Sequence, residues 1–162
     1  MKIKLSATME DYLEVIAQLK KKNTIARVRD ISQLMDVKTS SVTAALMTLS
    51  RAGLVVHERY GYVTLTQGGE RIAHEIQRRH DLLVRFLTNI LQIDTNIAMV
   101  DACKIEHAMS AETFKKLAAF IEFVETNPEK ERPQWLKHFD HYAKTGKRRV
   151  CSVKKCKEKK RK

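Results

Sequence analysis

Residues 26–69 read "ARVRDISQLMDVKTSSVTAALMTLSRAGLVVHERYGYVTLTQGG", and the order of signals in this stretch decides the fold. Val28, Ile31, Leu34 and Met35 form a short apolar stripe at helical spacing, with Val37 as the anchor of the turn that follows. The hydroxyls of Thr39, Ser40 and Ser41 offer caps to a second helix carrying Val42, Ala45, Leu46 and Leu49, and Gly53 suits a left-handed helix end. In "LVVHERYGYVTLT", Val63 and Leu65 alternate with Tyr62, Thr64 and Thr66, the two-residue period of a half-buried strand, around a tip at residues 59–61. Helix, turn, helix and then a β-hairpin predict a winged helix-turn-helix.

The flanking segments are helical. Upstream, "SATMEDYLEVIAQLKKKN" places Met9, Leu13, Ile16, Ala17 and Leu19 near helical spacing, with Ser6 as N-cap and Lys20–Lys22 in the last turn. Downstream, a long helix carries Ile72, Ile76, Leu82, Leu83, Phe86 and Leu87 and ends near "LQID"; a second starts near Thr95 and a third at Ser110. Their apolar stripes need a partner surface, from this chain or from a second copy. "NPEKERP" reads as a linker, and "QWLKHFDHY" as one or two amphipathic turns anchored by Trp135, Leu136 and Phe139. The expected class is mainly α, with boundaries at residues 1–68, 69–126 and 127–162.

Composition narrows the function. The chain has 162 residues, a net charge of +12, 5 Gly and 2 Pro. Residues 144–162 hold eleven Lys/Arg against one acid, Glu158, so the tail carries +10 and the rest only +2. A solvated basic tail adds salt-dependent affinity for polyanions without reading sequence. No apolar run approaches the roughly 18 residues of a membrane span, and Met1–Ser6 lacks a signal core, so a cytoplasmic location is expected. Three cysteines do not suggest a disulfide framework.

The chemistry concentrates in "CKIEH". On a helix, Cys103, Glu106 and His107 stand at i, i+3 and i+4 and project from one face, as ligands on a single helix must. Asp11 and Glu14 repeat the i, i+3 spacing on the first helix, and His80 in "RRHDLL" is a further candidate. A packed cysteine and a helix N-terminal charge pair account for the same residues without a metal. In the tail, His138, His141, Cys151 and Cys156 offer a two-His, two-Cys zinc site, against a disordered tail with exposed thiols.

"MEDYLEVI", the helix-turn-helix stretch, "LTQGG", "RRHDLLVRFL" and "CKIEHAMS" occur together in an order and spacing that resembles the metal-dependent transcriptional repressors of the diphtheria toxin repressor and manganese transport regulator family, over roughly residues 5–125. The resemblance implies a homodimer whose winged helix-turn-helix is followed by an all-helical dimerisation and metal-binding domain. It implies operator binding when loaded with Fe²⁺ or Mn²⁺, control of metal uptake genes, and the ligand set Asp11, Glu14, His80, Cys103, Glu106 and His107. The chain is a hybrid: the manganese branch has Glu where Cys103 stands, and the iron branch has Met where Asp11 stands. Thiolate favours Fe²⁺, Co²⁺, Ni²⁺ or Zn²⁺, and the carboxylates favour Mn²⁺. Without the bridging Glu of the manganese branch, a two-metal manganese site is in doubt. Val84 and Met99 occupy ancillary ligand positions of the iron branch.

DNA reading falls to the second helix of the motif, through Lys38, Thr39, Ser40, Ser41 and Thr43. Arg27, Arg29 and Arg51 can neutralise phosphates, and Arg59 and Tyr60 sit at the wing tip. Three alternatives remain at this point: a winged-helix regulator without metal control, a small metalloenzyme activating water, and a structural dimer. The enzyme lacks H-E-x-x-H and a Gly-rich phosphate loop.

Overall fold

The computed structural model describes residues 5–22, 25–58, 61–126 and 131–148. Helix α1 (Ala7–Lys21) starts at Ser6, whose hydroxyl accepts from the Met9 amide, and buries Tyr12, Leu13, Ile16 and Leu19. Strand β1 (Ala26–Arg27) leads into α2 (Val28–Met35), α3 (Thr39–Arg51), β2 (Val55–His57) and β3 (Tyr62–Leu65). The three strands pair antiparallel in the order β1-β3-β2. The hairpin follows from the alternation of Val63 and its neighbours. The two-residue β1 pairing was not anticipated, because two residues carry no periodicity.

Helix α3 ends as its glycine predicts. Gly53 adopts φ 70°, the Leu54 amide reaches back to the Leu49 carbonyl at 3.0 Å, and the Gly53 amide reaches Ser50 at 2.9 Å. That pair of bonds is a Schellman motif. The start of α3 differs from expectation: Lys38, in extended conformation, is the N-cap and provides no side-chain cap. Thr39, Ser40 and Ser41 are therefore already inside the first turn, and Thr43 turns its hydroxyl back onto the Thr39 carbonyl at 2.9 Å.

Helix α4 (Gln67–Arg85) joins the two halves of the chain. Its N-cap Thr66 accepts from Gly69 and donates to the Gly53 carbonyl at 2.8 Å, locking α4 to the end of α3. Gly69 is required there: a Cβ would lie 2.0 Å from the Leu54 carbonyl oxygen. Ala73 belongs to the core of the winged motif, whereas Leu83 and Leu87 belong to a second core with Ala98 and Ala102. The helix then widens into a π-helical segment (Phe86–Ile90), with Leu91 bonding five residues back to Phe86. A period of 3.6 does not foretell that widening.

Helices α5 (Thr95–Glu106), α6 (Ala111–Glu125) and α7 (Gln134–Thr145) complete the chain, the first two capped by Asp94 and Ser110. Helix α7 is three turns long, longer than the segment's pattern suggested. Leu136 alone is its buried anchor, while Trp135 and Phe139 are 46% and 42% exposed. Arg132 ties the start of α7 to the end of the π-helical segment, donating to the Asn89 and Ile90 carbonyls at 2.6 and 2.7 Å and forming a bidentate pair with Asp140. Among the described residues no helix is long and apolar enough to cross a membrane.

Candidate metal centre

Three helices converge on one polar cluster. Asp11 and Glu14 lie one turn apart on α1, His80 lies on α4, and Cys103, Glu106 and His107 lie along the last turn of α5 and its C-cap. All six side chains named from the sequence meet here, in two groups: Asp11, Cys103 and His107, and Glu14, His80 and Glu106. Within each group the ligand atoms lie within 4.8 Å of one another.

Glu106 is the centre of the arrangement, 1% exposed and the single buried charged residue among those described. Its Oε2 accepts from His80 Nδ1 at 3.0 Å. A carboxylate can only accept, so in this contact the His80 ring donates from Nδ1. Glu106 Oε1 lies 3.4 Å from His107 Nε2, which in turn lies 2.8 Å from Asp11 Oδ1. Despite these distances, Glu106 Oε1 and His107 Nε2 are buried polar atoms without an aligned hydrogen bond. Lone pairs that converge on a shared space rather than on one another's protons suit a cation, and the donors fit a divalent transition ion. On this test Asp11, Glu14, His80, Cys103, Glu106 and His107 are competent to hold it.

Sequence reasoning missed Glu10. Its Oε2 accepts from His107 Nδ1 at 2.8 Å, which fixes the ring and turns Nε2 toward Asp11 and Glu106. Carboxylate–histidine–metal relays use this arrangement to set tautomer and basicity. The signal was present: Glu10 precedes Glu14 by one helical turn on a helix already credited with ligands.

The electrostatics follow from four carboxylates in a half-buried space. Glu14 is pushed above its usual value by burial and then by the charges of Glu106 and Asp11. Burial, followed by the charges of Glu106, Asp11 and Glu14, raises the Cys103 thiol, so it stays protonated until a metal displaces the proton. Burial opposes charging of His107, but the hydrogen bond to Glu10 and the charges of Asp11, Glu106 and Glu10 outweigh it and raise its pKa. The hydrogen bond to Glu106 raises His80.

The DNA-reading candidates sit away from this centre. Lys38, Thr39, Ser40, Ser41, Thr43 and Arg51 are all exposed along α3. Ala44, Met47 and Thr48 share that exposed surface and were not singled out from sequence, Met47 being 51% exposed despite its apolar side chain. Arg27 stacks its guanidinium 5.4 Å over the Tyr62 ring in the sheet, and Arg29 is exposed on α2. The wing-tip candidates Arg59 and Tyr60 lie outside the described residues. So do Cys151 and Cys156, although His138 and His141 are half-buried on α7.

A winged helix-turn-helix joined by one helix to an all-helical half, with a transition-metal donor set at the junction, defines a metal-responsive DNA-binding protein. Comparison with known proteins gives the family. Residues 4–63 match the iron dependent repressor N-terminal DNA binding domain, and residues 66–134 match the iron dependent repressor metal binding and dimerisation domain. The chain belongs to this family, the metal-dependent transcriptional repressors of the diphtheria toxin repressor and manganese transport regulator type. It is 35% identical to a helix-turn-helix-type transcriptional regulator of Methanocaldococcus jannaschii, over 73% of this chain and 95% of that one. It is 34% identical to the transcriptional regulator MntR of Lysinibacillus sphaericus, over 75% of this chain and 87% of that one. A solved manganese-dependent transcriptional repressor in complex with manganese superposes with a TM-score of 0.66 at 30% identity, covering 74% of this chain and 55% of that chain. The chain thus spans little more than half the length of that structural relative.

Proposed function

We propose that this protein binds operator DNA as a homodimer when its centre holds Fe²⁺ or Mn²⁺, and thereby represses genes of metal uptake. The carrying observation is the junction: Asp11 and Glu14 belong to the helix that packs under the winged motif, whereas Cys103, Glu106 and His107 belong to α5 of the other half. A bound divalent ion supplies positive charge to a cluster that otherwise sets carboxylate against carboxylate. With that repulsion relieved, Asp11 and Glu14 hold α1 against α5, and Glu10 and Glu106 keep the two imidazoles oriented. Asp11 and Glu14 ligate only when α1 sits in this position, so loading favours one placement of the winged motif over others, the differential affinity a switch requires.

In this reading α3 enters the major groove. Thr39, Ser40, Ser41 and Thr43 approach base edges or phosphates, with Met47 and the Thr methyls available to thymine methyls. Lys38, Arg27, Arg29 and Arg51 neutralise phosphates, and the tail adds affinity independent of sequence. Homodimerisation is supported by exposed apolar side chains on the helical half, among them Ile97 and Val100 on α5 and Phe123 on α6, the last 68% exposed.

The test is fluorescence anisotropy of metal-stripped protein on its own upstream promoter DNA, titrated with Fe²⁺ (anaerobically), Mn²⁺ and Zn²⁺ at fixed salt. Tightening by about tenfold or more, roughly 1.4 kcal/mol of coupling, is expected with the cognate ion. Equal affinity with and without every ion would reduce the protein to a metal-independent DNA binder.

A further inference from the structure

Helix α3 carries charge only at its ends. Lys38 precedes it and Arg51 closes it, and between them stands no charged residue, no Asn and no Gln. The side chains that read guanine, adenine or cytosine through paired hydrogen bonds are therefore missing from the body of the helix. Hydroxyl protons are scarce as well. Thr43 donates its own to the Thr39 carbonyl at 2.9 Å, and Thr48 to the Ala44 carbonyl at 3.1 Å. From Val42 through Leu49 no side chain has a proton left to give. Thr43, Ala44, Met47 and Thr48 are nevertheless exposed along one face, Met47 at 51%. That face offers methyl groups, a thioether and threonine lone pairs, all of them apolar or accepting.

We propose, resting on the operator-binding reading above, that the middle of α3 recognises thymine by its C5-methyl group and rejects guanine, so that each half-site carries A·T pairs there. In the major groove guanine presents two acceptors, N7 and O6. Buried against this face, both lose water without gaining a donor. An A·T pair presents the thymine methyl, which fits beside Met47 and the Thr43 methyl, and the adenine amino group, which a threonine oxygen accepts from. Free hydroxyl donors are left to the first turn, at Ser40 and Ser41, and Lys38 and Arg51 hold phosphates at the two ends.

The experiment uses the full-length protein with Mn²⁺, Fe²⁺ (anaerobically) or Zn²⁺ to select duplexes from a random library. Affinity for the selected site is read by fluorescence anisotropy at fixed salt. Each thymine of the site is then replaced in turn by deoxyuridine, which pairs identically but lacks the methyl. The expected result is a half-site containing A·T pairs, with one or two thymines at which deoxyuridine weakens binding by about fourfold, the worth of one buried methyl group. Met47→Ala and Thr43→Ser remove the protein's side of the contact, and each should shrink that ratio toward unity at one position. Both side chains are exposed, so neither change touches the core. A half-site made of G·C pairs, or equal affinity for thymine and deoxyuridine at every position, would overturn the proposal. So would a deoxyuridine penalty that both variants retain in full, because it would then arise from the shape of the DNA. Those three results leave metal-controlled DNA binding intact. Selection that enriches no sequence with any ion overturns the operator-binding reading, and this proposal with it.

Discussion

Glu106→Gln separates a structural charge from a ligand. In the metal-free protein, carboxylate oxygens of Glu14 and Glu106 lie within 4.8 Å. Two unit charges at that distance repel by ~3.5 kcal/mol at an effective dielectric constant of about 20. Protonation of Glu14, whose pKa burial and Glu106 raise, already relieves part of this in the wild type. Against the gain, glutamine still accepts from His80 but without charge assistance, a loss of about 1–1.5 kcal/mol. The metal-free variant is therefore expected to be between unchanged and about 2 kcal/mol more stable than wild type. Metal reverses the ranking. Mn²⁺ at a hundred times its dissociation constant stabilises the wild type by about 2.7 kcal/mol, or about 5–11 °C in melting temperature for a domain of this size. A hundredfold loss of affinity at the same ion concentration leaves about 0.4 kcal/mol, close to 1 °C. The assay is calorimetric melting of both proteins, metal-free and with Mn²⁺, at one protein concentration. Melting of the metal-free variant well below wild type would show that Glu106 stabilises the fold as an ion. A preserved Mn²⁺ shift would refute its role as a ligand.

Four further outcomes are expected. Glu10→Gln should weaken metal binding by about tenfold and lower the pKa of His107, read by metal competition and by imidazole NMR titration; an unmoved His107 pKa would remove Glu10 from the relay. Gly69→Ala should cost about 3 kcal/mol or more in urea denaturation, because the new methyl meets backbone at Leu54 rather than a side chain that can yield. Glu14, His80, Cys103 and His107 are all raised in the folded state. Each contributes stability that is complete below its unfolded value, about 4.3 for Glu, 6.5 for His and 8.5 for Cys, and lost as pH rises through the folded one. Metal-free protein should thus weaken from about pH 4.3 upward, first through Glu14 and then through the two histidines and Cys103, while metal-dependent stabilisation grows, and parallel pH curves in urea melts with and without metal would contradict this. Deleting residues 144–162 should weaken binding to operator and random DNA about equally; a loss confined to the operator would show that the tail reads sequence.

The sequence by itself determined the winged motif and most helix boundaries. Those rest on local physics: the periods of Ile31 and Val42, the hydroxyl of Ser6, and the freedom of Gly53 to take positive φ. It also put Cys103, Glu106 and His107 on one face, since helical spacing alone brings those three together. Helical spacing says nothing about Asp11 and Glu14 meeting them from about ninety residues away, and the resemblance of several motifs supplied that link. Only the tertiary structure decided the rest. It turned Glu106 inward with one oxygen satisfied and one free, and brought Glu10 onto His107. It left Trp135 and Phe139 exposed while Leu136 went under. It also showed that Glu106 lies between the two ligand groups. These features depend on the angle at which α1, α4 and α5 cross. That angle is set by the fit of Ala73, Ile76, Leu83, Ala98 and Ala102 against their neighbours, which no single segment contains.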